Sequence, residues 1–282
     1  MNNAPSLETF IPEPGKADTV AALFERAAGL HAGSPLIFFD DASSLSYAEA
    51  LILAHRVAAG LSAMGVASGD RVVSISGASA EAALVFWGSM LSGAVFVTID
   101  RTTEPEKLAR ALEKAGPRVV FAGPEYAGWA VSCGFKAVSY QPSSDGACPA
   151  GAELFSSWLS AAPDSCDRRL VAPGDDAVII FTSGTTGEAR GVVLSHGALA
   201  GSGRLMTEAY GWGPGDRLLS AGDFHSMSGL RNPLVAAPFA GASFIVAPHA
   251  VRANASACSE LMARLSATIL CTVPAFLAQF NL

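Results

Sequence analysis

The sequence predicts an α/β fold of layered, largely parallel sheets with flanking helices. Three observations carry that expectation. Strand-like apolar runs alternate with helical patterns through the first 122 residues, and Gly- and Ser-containing turns punctuate them. Half of the 282 residues are hydrophobic and only 15% are charged, a composition that fills a large core rather than remaining disordered.

The elements follow in order. Leu36–Phe39 reads as a strand and Tyr47–Met64 as a helix. Ser46 stands as its N-cap with Glu49 three residues on, a capping-box spacing. Gly65 ends that helix, and Ser68-Gly69-Asp70 turns the chain into the strand Arg71–Ile75. Glu81–Leu91 is helical and Ala94–Ile99 a strand. Glu104–Ala115 and Arg118–Ala122 repeat the cycle. The segment from Gly134 to Asp175, rich in Ser, Pro, Gly and Asp, reads as a connecting region. It suggests subregions 1–170 and 171–282. Apolar density resumes at Ala177–Phe181.

Composition also excludes function classes. A formal charge of −7, with no clustered Lys/Arg stripe, argues against nucleic acid as a partner. Cys133, Cys148, Cys166, Cys258 and Cys271 are scattered without a CxxC spacing, so neither a disulfide framework nor a zinc site is indicated. The first residues carry acidic side chains and prolines where a secretory signal needs a basic start and an apolar run, and a cytoplasmic location is expected. The apolar stretch Ala82–Ile99 approaches membrane-spanning length, but Gly88, Ser89, Ser92 and Gly93 interrupt it. The pattern favours a buried helix followed by a strand, and no membrane span is expected.

The most informative stretch is Phe181–Gly191, FTSGTTGEARG, which follows a buried strand. Gly184, Gly187 and Gly191 permit backbone geometries closed to other residues, while Ser183, Thr185 and Thr186 offer hydroxyls beside backbone N–H groups. Such a loop wraps an anion without needing a formal charge, and Arg190 adds a cation suited to phosphate oxygens. It is neither a Walker A loop nor GxGxxG. The string resembles the phosphate loop of the adenylate-forming family, the AMP-dependent acyl-CoA synthetases and peptide-synthetase adenylation domains. That loop reads Ser/Thr-Ser-Gly-Thr-Thr-Gly-x-Pro-Lys-Gly; here Ala189 replaces its Pro and Arg190 its Lys. The stretches LSYAEALILAHRVAAGLSAMGVASGDRVVSI and EAALVFWGSMLSGAVFVTIDRTTEPEKLARALEKAGPRVVFAG resemble the family's early helix–strand cycles in order and spacing. DFHSMSGL, GASFIVAP and ATILCTVPAFL resemble the substrate-pocket region of its acyl-CoA synthetase branch.

The resemblance implies an incomplete N-terminal domain of that family over 1–282, with the C-terminal lid domain absent. It implies activation of a small-molecule carboxylic acid. The carboxylate attacks the α-phosphate of Mg-ATP to give an acyl-adenylate and pyrophosphate, and a thiol of coenzyme A or a phosphopantetheine carrier then takes the acyl group. Thr182, Ser183, Gly184, Thr185, Thr186, Gly187, Arg190 and Gly191 are the implied ATP-phosphate ligands; ATP and Mg2+ are the implied cofactors. His225, Ser228 and Gly229 are the implied substrate-pocket residues, although His225 fits simple packing as well. For His196, after Ser195 at a helix start, capping or packing is expected. Neither a catalytic residue nor a metal ligand is assigned, and Asp223 is not read as one. The family's metal-binding Glu, ribose-holding Asp and adenylating Lys are not found in these residues. Two expectations therefore stand: the ATP- and acyl-binding portion of an acid–thiol ligase, inactive alone and completed by a C-terminal chain or by self-association, or an inactive remnant or interaction module.

Overall fold

A computed structural model describes residues 18–164, 170–182 and 190–280. Helix α1 (Val20–Leu30) is capped by Thr19, whose side chain accepts from Ala22 N–H at 3.1 Å. Strands β1 (Pro35–Phe39) and β2 (Ser44–Ser46) lead into α2 (Tyr47–Ala63). The capping box there is complete: Ser46 Oγ accepts from Glu49 N–H at 3.3 Å and Glu49 Oε2 accepts from Ser46 N–H at 2.8 Å. Next come β3 (Arg71–Ile75), α3 (Ala80–Ser92) and β4 (Val95–Thr98). The long apolar stretch thus divides into a helix and a strand at Gly93, and no helix of the described residues is long and apolar enough to cross a membrane.

The chain continues through α4 (Pro105–Ala115), β5 (Val119–Ala122), α5 (Pro124–Ser132), β6 (Ala137–Ser139), β7 (Glu153–Leu154) and α6 (Phe155–Ala161). The last three lie inside the region read from sequence as a connector, and they correct that reading. Phe155 and Trp158 are buried, with ring centroids 6.4 and 5.1 Å from Phe121. These elements are too short to show a periodic pattern, and two aromatic anchors hold them instead. Beyond them lie β8 (Asp176–Thr182), β9 (Arg190–Ser195), α7 (His196–Tyr210), β10 (Arg217–Ser220) and α8 (Met227–Arg231). A π-helix (Asn232–Ala236), α9 (Ala237–Ala240), β11 (Ser243–Val246), α10 (His249–Arg252), α11 (Ala255–Arg264), β12 (Ile269–Cys271) and α12 (Pro274–Leu277) complete the described chain.

The strands form two sheets, ordered β12-β10-β11-β1-β2 and β7-β6-β5-β3-β4-β8-β9. Pairings are parallel except β1 with β2 and β8 with β9. Both sheets cross the boundary at 170: β1 and β2 join the sheet of β10–β12, and β8 and β9 join the sheet of β3–β7. Period-2 alternation gives every central strand two apolar faces. Val72, Phe96, Leu218 and Phe244 face a shared core with α1, α2 and α3 between the sheets. Val73, Val97 and Val120 face α4 and α5, whereas Leu219 and Ile245 face α11 and α12. The layers therefore run helix, sheet, helix, sheet, helix. Trp87 on α3 pins the centre, stacked on Phe24 at 4.3 Å and donating its indole N–H to Leu234 O at 3.0 Å.

Candidate functional site

Parallel strands of both sheets end on one side, and the loops beyond strand ends are where open α/β folds place ligands. Asp223, just past β10, ties three of these loops together. Its carboxylate pairs with Arg252, accepts from Ala78 N–H beyond β3 at 3.1 Å, and lies 3.9 Å from Arg101 Nε beyond β4. Burial raises its pKa, but Arg252, the Ala78 N–H and Arg101 outweigh burial and hold it below the ordinary carboxylate value. Arg252 is fully buried and also donates to the carbonyls of Ala247 (2.8 Å), Ser220 (3.3 Å), Ala221 (3.1 Å) and Gly222 (3.3 Å). No element of the local sequence announces this arginine as buried; its partners lie on other segments.

His225 follows two residues later. Its Nε2 stands 3.5 Å from Asp100 Oδ2, while Asp100 Oδ1 accepts from the N–H and the hydroxyl of Thr102, both at 2.8 Å. His225 Nδ1 is buried with no hydrogen-bond partner among the described residues. Ser226 caps α8, accepting from Gly229 N–H at 3.2 Å. A Cβ on Gly229 would meet the Asp223 carbonyl oxygen at 2.1 Å, so only glycine lets the helix start this close to the loop.

A cavity of about 580 Å³ opens beside α8, under the end of β12. Its wall is largely apolar, with Met206, Trp212, Ile269 and Phe276, and Ser228 and Arg231 enter it from one face of α8. Of the sequence-predicted pocket residues, Ser228 lines this cavity; His225 and Gly229 do not, the first facing Asp100 and the second packing on Asp223. A second cleft, about 620 Å³, lies between the strand ends of the two sheets, with Ser76, Arg101, Tyr126, Tyr140 and His249 in its wall.

The predicted phosphate loop joins β8 to β9. Ser183, Gly184, Thr185, Thr186 and Gly187 lie outside the described residues. The strands that carry the loop are described: β8 runs parallel to β4, and its antiparallel partner β9 places Arg190 opposite Thr182 and Gly191 opposite Phe181. Gly191 is required there, since a Cβ would come within 2.7 Å of Ile179 Cγ2. Arg190, exposed, thus begins the return strand at the base of the loop. His196, which starts α7 behind the hairpin, is fully buried with neither ring nitrogen hydrogen-bonded among the described residues. Burial pushes its pKa down to about 4, against a smaller upward pull from Asp175.

Sequence reasoning missed the cavity residues Arg231, Asn232, Cys271 and Thr272. No local motif marks them, because α8, the π-helix and β12 come together only through the packing of the five-stranded sheet. Among the described residues no three His, Cys, Asp or Glu side chains are grouped to hold a metal ion.

Comparison with known proteins places this geometry. The family model described as AMP-binding enzyme matches residues 24–281. The chain is 28% identical over 207 residues to 3-hydroxybenzoate–CoA ligase of Aromatoleum sp. (strain CIB), covering 73% of this chain and 40% of that protein. It is 29% identical over 253 residues to indoleacetate–CoA ligase of Aromatoleum aromaticum, covering 89% of this chain and 49% of that one. Among solved structures, ATP-bound MatB from Rhodopseudomonas palustris superposes with a TM-score of 0.79 at 27% identity, over 93% of this chain and 51% of MatB. A benzoate CoA ligase from Burkholderia xenovorans LB400, at 23% identity, has the same fold with a TM-score of 0.82 over 93% of this chain and 51% of that one. The chain spans about half or less of the length of these relatives.

Proposed function

Since the chain belongs to the AMP-binding enzyme family, we propose that it is the nucleotide- and acid-binding portion of an ATP-dependent, AMP-forming acid–thiol ligase. The observation that carries this reading is the FTSGTTGEARG string at the hairpin of β8 and β9, inside a family match spanning residues 24–281. In the proposed reaction a carboxylate oxygen attacks the α-phosphate of ATP and pyrophosphate leaves, giving an acyl-adenylate; the thiol of coenzyme A or a phosphopantetheine carrier then attacks the acyl carbon, loses its proton, and AMP leaves as the thioester forms. This chain's part is to hold and orient. The backbone N–H groups and hydroxyls from Thr182 to Gly187 are assigned to the leaving phosphates, with Arg190 adding a guanidinium that offsets their charge. When bound with the nucleotide, Mg2+ would supply further screening of phosphate charge. The cavity beside α8 is assigned to the organic part of the acid, its apolar wall excluding water from the acyl group.

The chain spans about half or less of the relatives it matches, and on this proposal further catalytic groups lie in the part it does not span; catalytic groups that act as a unit lose activity far more than additively when some are missing. The chain alone is therefore expected to bind ATP and to catalyse carboxylate-dependent ATP–pyrophosphate exchange only near background. Mixing with the C-terminal half of a family member restores exchange if the completing groups can dock. Calorimetric ATP titration and the exchange assay test the two halves of the proposal. No ATP binding removes the nucleotide-site assignment, and vigorous exchange by the chain alone removes the claim that it is only a portion of the enzyme.

A further inference from the structure

We propose that the cavity beside α8 selects an acid bearing a second anionic group, a dicarboxylate whose distal carboxylate is held by Arg231. The inference deepens the reading of this cavity as the acid pocket and rests on it. Two arginines reach the cavity wall. Arg252 is already neutralised by Asp223. Arg231 is half-buried and makes no ion pair among the described residues; its Nε and Nη2 both donate to Asn232 Oδ1 at 3.0 Å. Nη1 is left without a protein hydrogen bond among the described residues.

A cation that is partly desolvated and unpaired is costly unless something anionic reaches it. Burial is the main influence on this guanidinium and lowers its pKa, and only the weaker influences of Cys271 and Tyr210 oppose it. No carboxylate of the described residues pairs with it, so an anion entering the cavity would find this guanidinium available. The guanidinium is also held ready. Asn232 Nδ2 donates to Cys271 Sγ at 3.3 Å, which anchors the amide that orients Arg231. The helical register changes to a π-helix at Asn232, directly after Arg231, an irregularity often found at functional sites.

Thr272 Oγ1 is buried with no hydrogen-bond partner among the described residues, and Thr272 lines the cavity. A guanidinium without an ion pair among the described residues, in a largely apolar wall, suits a carboxylate, which accepts from the planar fork of arginine. A purely apolar acyl chain offers that guanidinium no counter-charge. Arginine rather than lysine matters here, because its fork matches a carboxylate in two bonds.

The test is calorimetry on the 282-residue chain with hexanedioate and hexanoate, which share a chain length and differ by one carboxylate. Hexanedioate is expected to bind about tenfold or more tightly. Arg231→Gln should abolish that preference by weakening hexanedioate alone, and Arg231→Lys should keep part of it; circular dichroism checks that each variant folds. ATP affinity measured on the same samples should be unchanged by both variants. Equal or tighter binding of hexanoate to the unsubstituted chain overturns the inference without need of any variant. A preference that survives Arg231→Gln, a parallel loss of ATP affinity, or no binding of either acid overturns it as well. Because ATP binding is read separately, failure with the acids leaves the nucleotide-site reading standing, and failure with ATP alone strikes that reading and not this one.

Discussion

Arg252 and Asp223 form a buried ion pair at the point where strands of both sheets end. Through that pair the loops after β3, β4 and β10 share one anchor, and α10 is drawn against them. Removing either partner strands the other charge in the interior, an effect of ~3–5 kcal/mol. Arg252→Met and Asp223→Asn are each expected to lower stability to urea by about that much, and the double substitution by much less than the sum. Additive losses in the double-mutant cycle would mean the two residues act independently.

His196 sets a pH dependence of stability. Its folded pKa, about 4, lies below the ordinary 6.5, so the unfolded chain binds the proton more readily between these values. The neutral ring's contribution is fully present above 6.5 and is lost as pH falls toward 4, by about 3 kcal/mol across the window. His196→Gln should flatten the fall in urea stability between pH 7 and pH 4.5, a comparison in which equal slopes would count against the assignment.

Gly191 is tested by adding the side chain it excludes. Gly191→Val drives carbon into Ile179, which stands 2.7 Å from the position of a Cβ. A loss of ~1–3 kcal/mol is expected from overpacking, seen as a lowered thermal midpoint. If the variant melts with the wild type, β8 and β9 do not approach as described.

Arg190 carries the permanent cation of the string proposed to bind the ATP phosphates. Arg190→Ala is expected to weaken ATP binding by ~1–3 kcal/mol, the range for a charge-assisted hydrogen bond. Calorimetry showing unchanged affinity would move the nucleotide site away from the β8–β9 hairpin.

Local chemistry was legible without coordinates. The Ser46–Glu49 capping box needs only a three-residue spacing, and the division of Ala82–Ile99 at Gly93 needs only a glycine that accepts a left-handed turn. The FTSGTTGEARG string was equally visible, because its glycines and hydroxyls are clustered and follow a β-branched run. Sequence by itself therefore determined the layered α/β class, the family and the strand that leads into the string, whereas the return strand β9 came only with the structure. Tertiary structure decided what depends on distant partners. β1 pairs with β11 two hundred residues away, Tyr47 donates its hydroxyl to Ala242 O at 2.6 Å, and these pairings send the first strands into the later sheet. The same folding buries Arg252 and turns Arg231 into a cavity, although both look like ordinary surface arginines in sequence. The physical reason is that caps and turns are settled by neighbours within one helical turn, whereas burial of a charge is settled by whichever segments the closed sheets bring around it.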